Sequence, residues 1–112
     1  MPFINVKTNQ DISSVKEQIK AELGNAITAI PGKSEAWLMV EIQDALDMYF
    51  KGSDLPCAMF EVEIFGKAGD DAYDDLTKRI CKISQNLLGV APDRTYVKYE
   101  EIEHWGYNNF NF

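Results

Sequence analysis

The chain has 112 residues, 46% of them apolar, and a formal net charge of −7. This length gives one domain with a modest core, and the apolar share excludes a disordered chain. The acidic balance, with no cluster of Lys and Arg, excludes nucleic acid as a partner and argues against anionic membranes; no window approaches the ~20 apolar residues of a membrane span.

Two cysteines, Cys57 and Cys81, stand beside a single histidine, His104. They are too few for a disulfide framework or a metal site, so both are expected as reduced, partly buried thiols. The first residues lack a basic stretch followed by a long apolar run. No signal peptide is expected, and the cytosol is the default address.

The chain opens Met1-Pro2, followed by the short apolar run Phe3-Ile4-Asn5-Val6-Lys7-Thr8. The run reads as a strand, and proline is tolerated at a strand's first position. There is also a chemical reading. Loss of Met1 would leave Pro2 as a free secondary amine at the lip of a sheet. Next, Ser14 and Glu17 have capping-box spacing, and Val15, Ile19, Leu23, Ala26, Ile27 and Ile30 recur at helical steps. Pro31-Gly32 ends that helix. Trp37 to Ile42 reads as a second, largely buried strand; Ile42 to Met48 is compatible with helix or with a bent strand.

The plan then repeats. Ala58 to Phe65 is a strand, Asp70 and Asp71 offer an N-cap, and Tyr73, Leu76, Ile80, Ile83 and Leu87 form a helical stripe. Gly89 caps it, Pro92 follows, and Thr95 to Tyr99 closes the sheet. The tail from Trp105 to Phe112 is aromatic and turn-rich. The fold class is therefore α/β of the α+β kind, a single domain over 1–112 with pseudo-repeat halves at about 2–50 and 57–102. Two β-α-β units form a four-stranded mixed sheet with two helices on one face. The opposite face would be bare and apolar, which calls for an oligomer packing sheet against sheet.

This topology gathers chemistry at one edge. Parallel strands begin at the same end, so Pro2 and the Lys33 loop before strand two lie together. If the halves pair antiparallel, the Phe65 N–H at the end of strand three joins them. A neighbouring cation and burial among Phe3, Trp37 and Phe65 both disfavour a charged amine, moving it from near ~8 toward the range of a general base. Lys33 and a backbone N–H can hold a carboxylate or an enolate oxygen. That is equipment for moving a proton beside a carbonyl.

The segments "MPFINVKTN", "GKSEAWLMV", "MYFKGSDLPCA", "IFGKAG", "LLGVAPDRTYVKYEEI" and "GYNNFNF", in this order, resemble the macrophage migration inhibitory factor (MIF) family of tautomerases. The resemblance implies a homotrimer whose sheets wrap into a barrel, with each active site between two subunits. It implies Pro2 as base after methionine removal and Lys33 as the partner of the substrate carboxylate. It also implies a substrate contact at the Phe65 N–H, Tyr96 and Lys98 from the neighbouring subunit's wall, and Tyr107 at the mouth. Trp105 and Phe65 are bulkier than the family's usual aliphatics and narrow the pocket, and Trp37, from the burial argument, is a further candidate contact. The implied substrates are phenylpyruvate-like 2-oxo acids or dopachrome-like compounds, with no metal and no organic cofactor. A cytokine-like role is implied beside this, through the invariant-chain receptor of immune cells and secretion without a signal peptide. Lys98 replaces an asparagine of the family pattern; a second cation there favours a more acidic substrate or tightens carboxylate binding. Cys57 is followed by Phe60 where the mammalian founder has a second cysteine, which counts against thiol–disulfide exchange.

Overall fold

A computed structural model describes residues 1–112. Strands β1 (Pro2–Thr8), β2 (Met39–Gln43), β3 (Ala58–Phe65) and β4 (Thr95–Ile102) form one sheet in the order β2-β1-β3-β4. The β1/β2 and β3/β4 pairs are parallel and the central β1/β3 pair is antiparallel. Helices α1 (Lys16–Ala26) and α2 (Asp70–Ile83) cover one face, and a short hairpin of β5 (Gly106–Tyr107) and β6 (Phe110–Asn111) ends the chain. The expected pair of strand–helix–strand units is present. No helix is long and apolar enough to cross a membrane.

The core lies between the sheet and the helices. Ile4, Val6, Phe60, Val62 and Ile64 point from the two central strands to Ile19, Leu23 and Ile27 of the first helical segment and Leu76, Ile80 and Ile83 of the second. In β3 burial alternates residue by residue, the signature of a strand with one face on a core.

Local details depart from the sequence reading at several points, among them β4, which runs on past Tyr99 to Ile102. The Ser14–Glu17 capping box does not form. Asp11 instead accepts from the backbone N–H and hydroxyl of Ser13, a local turn that competes with helix entry, and α1 starts at Lys16 with no side-chain cap. The cap of α2 is Gly69, which puts Asp70 and Asp71 in the first turn, where their charge suits the helix dipole. Residues Glu35–Trp37 make a 3-10 turn, so the second strand begins at Met39, and its register with β1 stops at Phe3 because Pro2 has no N–H to extend the ladder. As an edge strand β2 is not largely buried; Met39 and Glu41 are exposed. After Gln43 the chain is neither helix nor strand: Ala45 and Leu46 donate to the carbonyls of Gln10 and Thr8, and Ala45 takes a positive φ.

The uncovered face also differs from expectation. Paired residues share a face, so Asn5, Glu41, Glu61 and Lys98 form one row across it, and Lys7, Gln43, Met59 and Tyr96 the next. Asn5 donates to Glu61 and accepts from Gln43, while Lys7 and Lys98 both reach Glu61. A polar belt thus crosses a face that was expected to be apolar. The belt separates an aromatic end near Phe3 and Phe65 from another near Tyr96 and Phe50, whose rings meet edge-on at 4.9 Å.

Candidate active site

Pro2 opens β1 opposite Ile64, beyond which the antiparallel ladder makes one more bond: the Phe65 N–H donates to the Met1 carbonyl at 2.9 Å. Lys33 comes to the same point by a tight turn. Pro31 and Gly32 occupy its middle, Gly32 has φ +79°, and the Lys33 N–H closes it on the Ile30 carbonyl at 3.1 Å. The Lys33 ammonium then donates to the Phe65 carbonyl at 2.8 Å. Chain start, lysine and strand end therefore meet at one sheet edge, the convergence that the topology predicts.

Beside them is a pocket of about 460 Å³ lined mainly by apolar groups, including Pro2, Phe3, Trp37, Met39, Trp105 and Tyr107, with Met1 at its edge and Glu63 in its wall. Trp37 meets Tyr107 edge-on at 5.3 Å, and Phe65 tilts onto Phe112 at 5.9 Å. The hairpin carrying Tyr107 turns through Asn108 and Asn109, both with positive φ (53° and 79°), a pair that suits a two-residue hairpin turn. Another hollow lies between α1 and α2, lined by Glu22, Asn25, Arg79 and Lys82, with the Arg79 guanidinium paired to Asp75.

Electrostatics at the chain start follow from this packing. Burial is the first cause that lowers the Met1 α-amine, followed by the charge of Lys33 and its hydrogen bond; together they bring it from 8.0 to about 6. An amine held there is largely neutral at pH 7.

Of the residues singled out in the sequence, Pro2, Trp37, Trp105 and Tyr107 line this pocket, and Lys33 and Phe65 join it through Met1. Tyr96 and Lys98 do not lie there within one chain. Their partners across the sheet are Met59 and Glu61, whereas Pro2 is opposite Ile64. Sequence reasoning missed Glu61 and Glu63. Their signal was the alternation in Ala58-Met59-Phe60-Glu61-Val62-Glu63-Ile64, which turns both carboxylates away from the core. Cys57 is buried and Cys81 half-buried, both as free thiols.

Two β-α-β halves in one mixed sheet, with an aromatic pocket at the start of the first strand, define an α+β domain of the tautomerase-superfamily fold. The profile of the macrophage migration inhibitory factor (MIF) family matches residues 1–110, and the chain belongs to that family. It is 31% identical to macrophage migration inhibitory factor of Meriones unguiculatus over 114 aligned positions, covering 100% of this chain and 99% of the relative. D-dopachrome decarboxylase-B of Xenopus laevis is 24% identical, over 94% of this chain and 90% of its own length. The crystal structure of Leishmania major MIF2 superposes with a TM-score of 0.91 at 28% identity, covering 100% of this chain and 97% of that one.

Proposed function

We propose that the chain, once Met1 is removed, is a keto–enol tautomerase for phenylpyruvate-like 2-oxo acids or dopachrome-like compounds, with Pro2 as the base. One observation carries this reading. The Met1 carbonyl oxygen rests on the Phe65 N–H at 2.9 Å, and the Lys33 ammonium lies against the same residue, at the edge of an aromatic pocket. Loss of Met1 frees that N–H and turns Pro2 from an amide into an amine in one event. A substrate oxygen then takes the position that the methionine carbonyl held.

The reaction balances without a cofactor. The neutral Pro2 nitrogen takes a proton from the carbon beside the carbonyl, and the C–H electron pair moves into a new C=C bond. The former carbonyl oxygen becomes an enolate, which the Phe65 N–H stabilises while Lys33 holds the carboxylate. Protonated Pro2 returns its proton to that oxygen and is restored. A relative named for D-dopachrome decarboxylase supports dopachrome-like compounds as one substrate class.

The site is completed by a second copy. The pocket opens at the β2 edge through Trp37, Leu38 and Met39, and the sheet's other free edge is β4, which presents Tyr96 and Lys98. Edge-to-edge association of identical chains is head-to-tail, and such contacts close into rings when the rotation permits. Three copies give a homotrimer in which Tyr96 and Lys98 wall the neighbouring pocket.

The test is enol formation from phenylpyruvate by the Met1-free chain, followed by ultraviolet absorbance. The expected outcome is turnover that falls at least ~100-fold in Pro2→Gly and is absent when Met1 is retained. A folded Pro2→Gly protein with an unchanged rate would exclude Pro2 as the base.

A further inference from the structure

The lysine that distinguishes this chain's wall, Lys98, is not a free cation. Its ammonium lies 3.0 Å from Glu61 Oε2, and Lys7 occupies the other oxygen of the same carboxylate at 2.8 Å. The Asn5 amide adds a third donor to that oxygen at 3.3 Å. The two lysines hold the Glu61 carboxyl below the usual carboxylate range, and Glu61 in turn raises Lys98. Around them the open face carries Lys7 and Lys98 against Glu41, Glu61, Glu63 and Glu100. Glu63 is opposite Glu100 on β4, and its side chain also reaches the pocket wall. Negative charge is therefore in excess where a cation was expected to attract anions.

From this we infer that Glu61 sets the substrate class: by holding Lys98, it restricts the site to 2-oxo acids with one carboxylate and an uncharged aromatic end. The inference rests on the reading above, in which Lys98 walls a neighbouring copy's pocket. Lys33 serves the single carboxylate at one end of the substrate. At the far end a second carboxylate would have to share Lys98 with Glu61 and would lie near the carboxylates of Glu61, Glu63 and Glu100, where repulsion offsets the one ammonium. An uncharged ring has no such requirement; it lies against Tyr96 and the pocket aromatics. Glu61 thus acts through Lys98 as a positioning residue and need not touch the substrate.

Calorimetric titration of the Met1-free chain with cinnamate and with 4-carboxycinnamate tests this without requiring turnover. Wild type is expected to bind the monoacid at least ~10-fold more tightly. Glu61→Gln is expected to close that gap about tenfold by tightening the diacid, and the gain is expected to vanish in a Glu61→Gln, Lys98→Met double variant. The Lys98 Cε resonance should titrate at lower pH in Glu61→Gln, a change that general loosening of the fold would not give. Equal or tighter binding of the diacid by wild type, or an unchanged ratio in Glu61→Gln, overturns the inference. Phenylpyruvate turnover by the same sample keeps the two readings apart: no turnover, with the monoacid preference present in wild type and lost in Glu61→Gln, removes Pro2 as base and leaves Glu61 in its role. Turnover with the ratio unchanged removes Glu61 alone. Failure of both ligands to bind overturns the pocket assignment and this inference with it.

Discussion

Replacing Lys33 by Met in the chain that retains Met1 separates the causes acting on the terminal amine. The native amine titrates at about 6 instead of 8.0, with burial as the leading cause and Lys33 contributing both by charge and by hydrogen bond. At pH 7 a value of about 6 leaves roughly ten neutral amines per charged one, where an ordinary terminus would show the reverse. Lys33→Met removes the second and third causes and keeps the first, so the value should rise and stop short of 8.0. If the lysine carries half the displacement, the neutral-to-charged ratio at pH 7 falls from roughly ten to roughly one. Competitive acylation of the α-amine across pH 5–9, with lysine side chains as internal standards, measures this directly. The same displacement gives a stability signature. The folded chain binds fewer protons than the unfolded one between pH 6 and 8, so stability rises with pH through that window, and the burial cost is fully present only below it. A two-unit shift is nominally about 2.7 kcal/mol, reduced to about 1 kcal/mol for an amine this solvated. An unmoved titration in Lys33→Met refutes the part given to the lysine; a full return to 8.0 refutes the part given to burial.

Two further changes test packing elsewhere in the fold. The Arg94 guanidinium donates to the carbonyls of Phe50, Ser53, Leu55 and Pro56 at 2.8–3.2 Å and lies over the Phe50 ring, so Arg94→Met should cost about 2–4 kcal/mol in urea unfolding and speed amide exchange across 50–56. Unchanged exchange there would show that the loop holds itself. Gly24 lies inside α1, and a Cβ there would crowd the carboxyl end of Glu35, an exposed side chain free to swing away. The helix preference for Ala should therefore prevail, and Gly24→Ala should stabilise by about 0.5 kcal/mol, raising the melting temperature; a fall would mean that Glu35 is held in place.

What the sequence disclosed depended on how local each cause was. Strand β3 was legible to the residue, because a strand covered on one face must alternate and Ala58 to Phe65 does. The meeting of Pro2, Lys33 and Phe65 was legible too, since parallel and antiparallel pairing fix which strand ends share an edge. The helix starts were not. Ser14 had the right spacing, but the Asp11–Ser13 turn delays the helix to Lys16 and the Glu17 carboxylate pairs with Lys20, choices of local geometry that no spacing rule contains.

The state of Lys98 depended on register. The alternation in Thr95-Tyr96-Val97-Lys98-Tyr99 places its side chain on the open face, and the same pattern in β3 places Glu61 there. That the two are directly opposite, with Lys7 close enough to share the carboxylate, follows only from which rung pairs with which, over a separation of 37 residues for one pair and 54 for the other. A slip of two residues would keep every core contact face intact and still set Lys98 opposite Glu63 or Met59. The expectation that Lys98 would draw a more acidic substrate was sound for an isolated ammonium. Pairing changes that premise: with Glu61 at 3.0 Å and more carboxylates on either side, Lys98 is not isolated, and under the inference above it would offer a neighbouring pocket its aliphatic stem while Lys33 meets the substrate carboxylate.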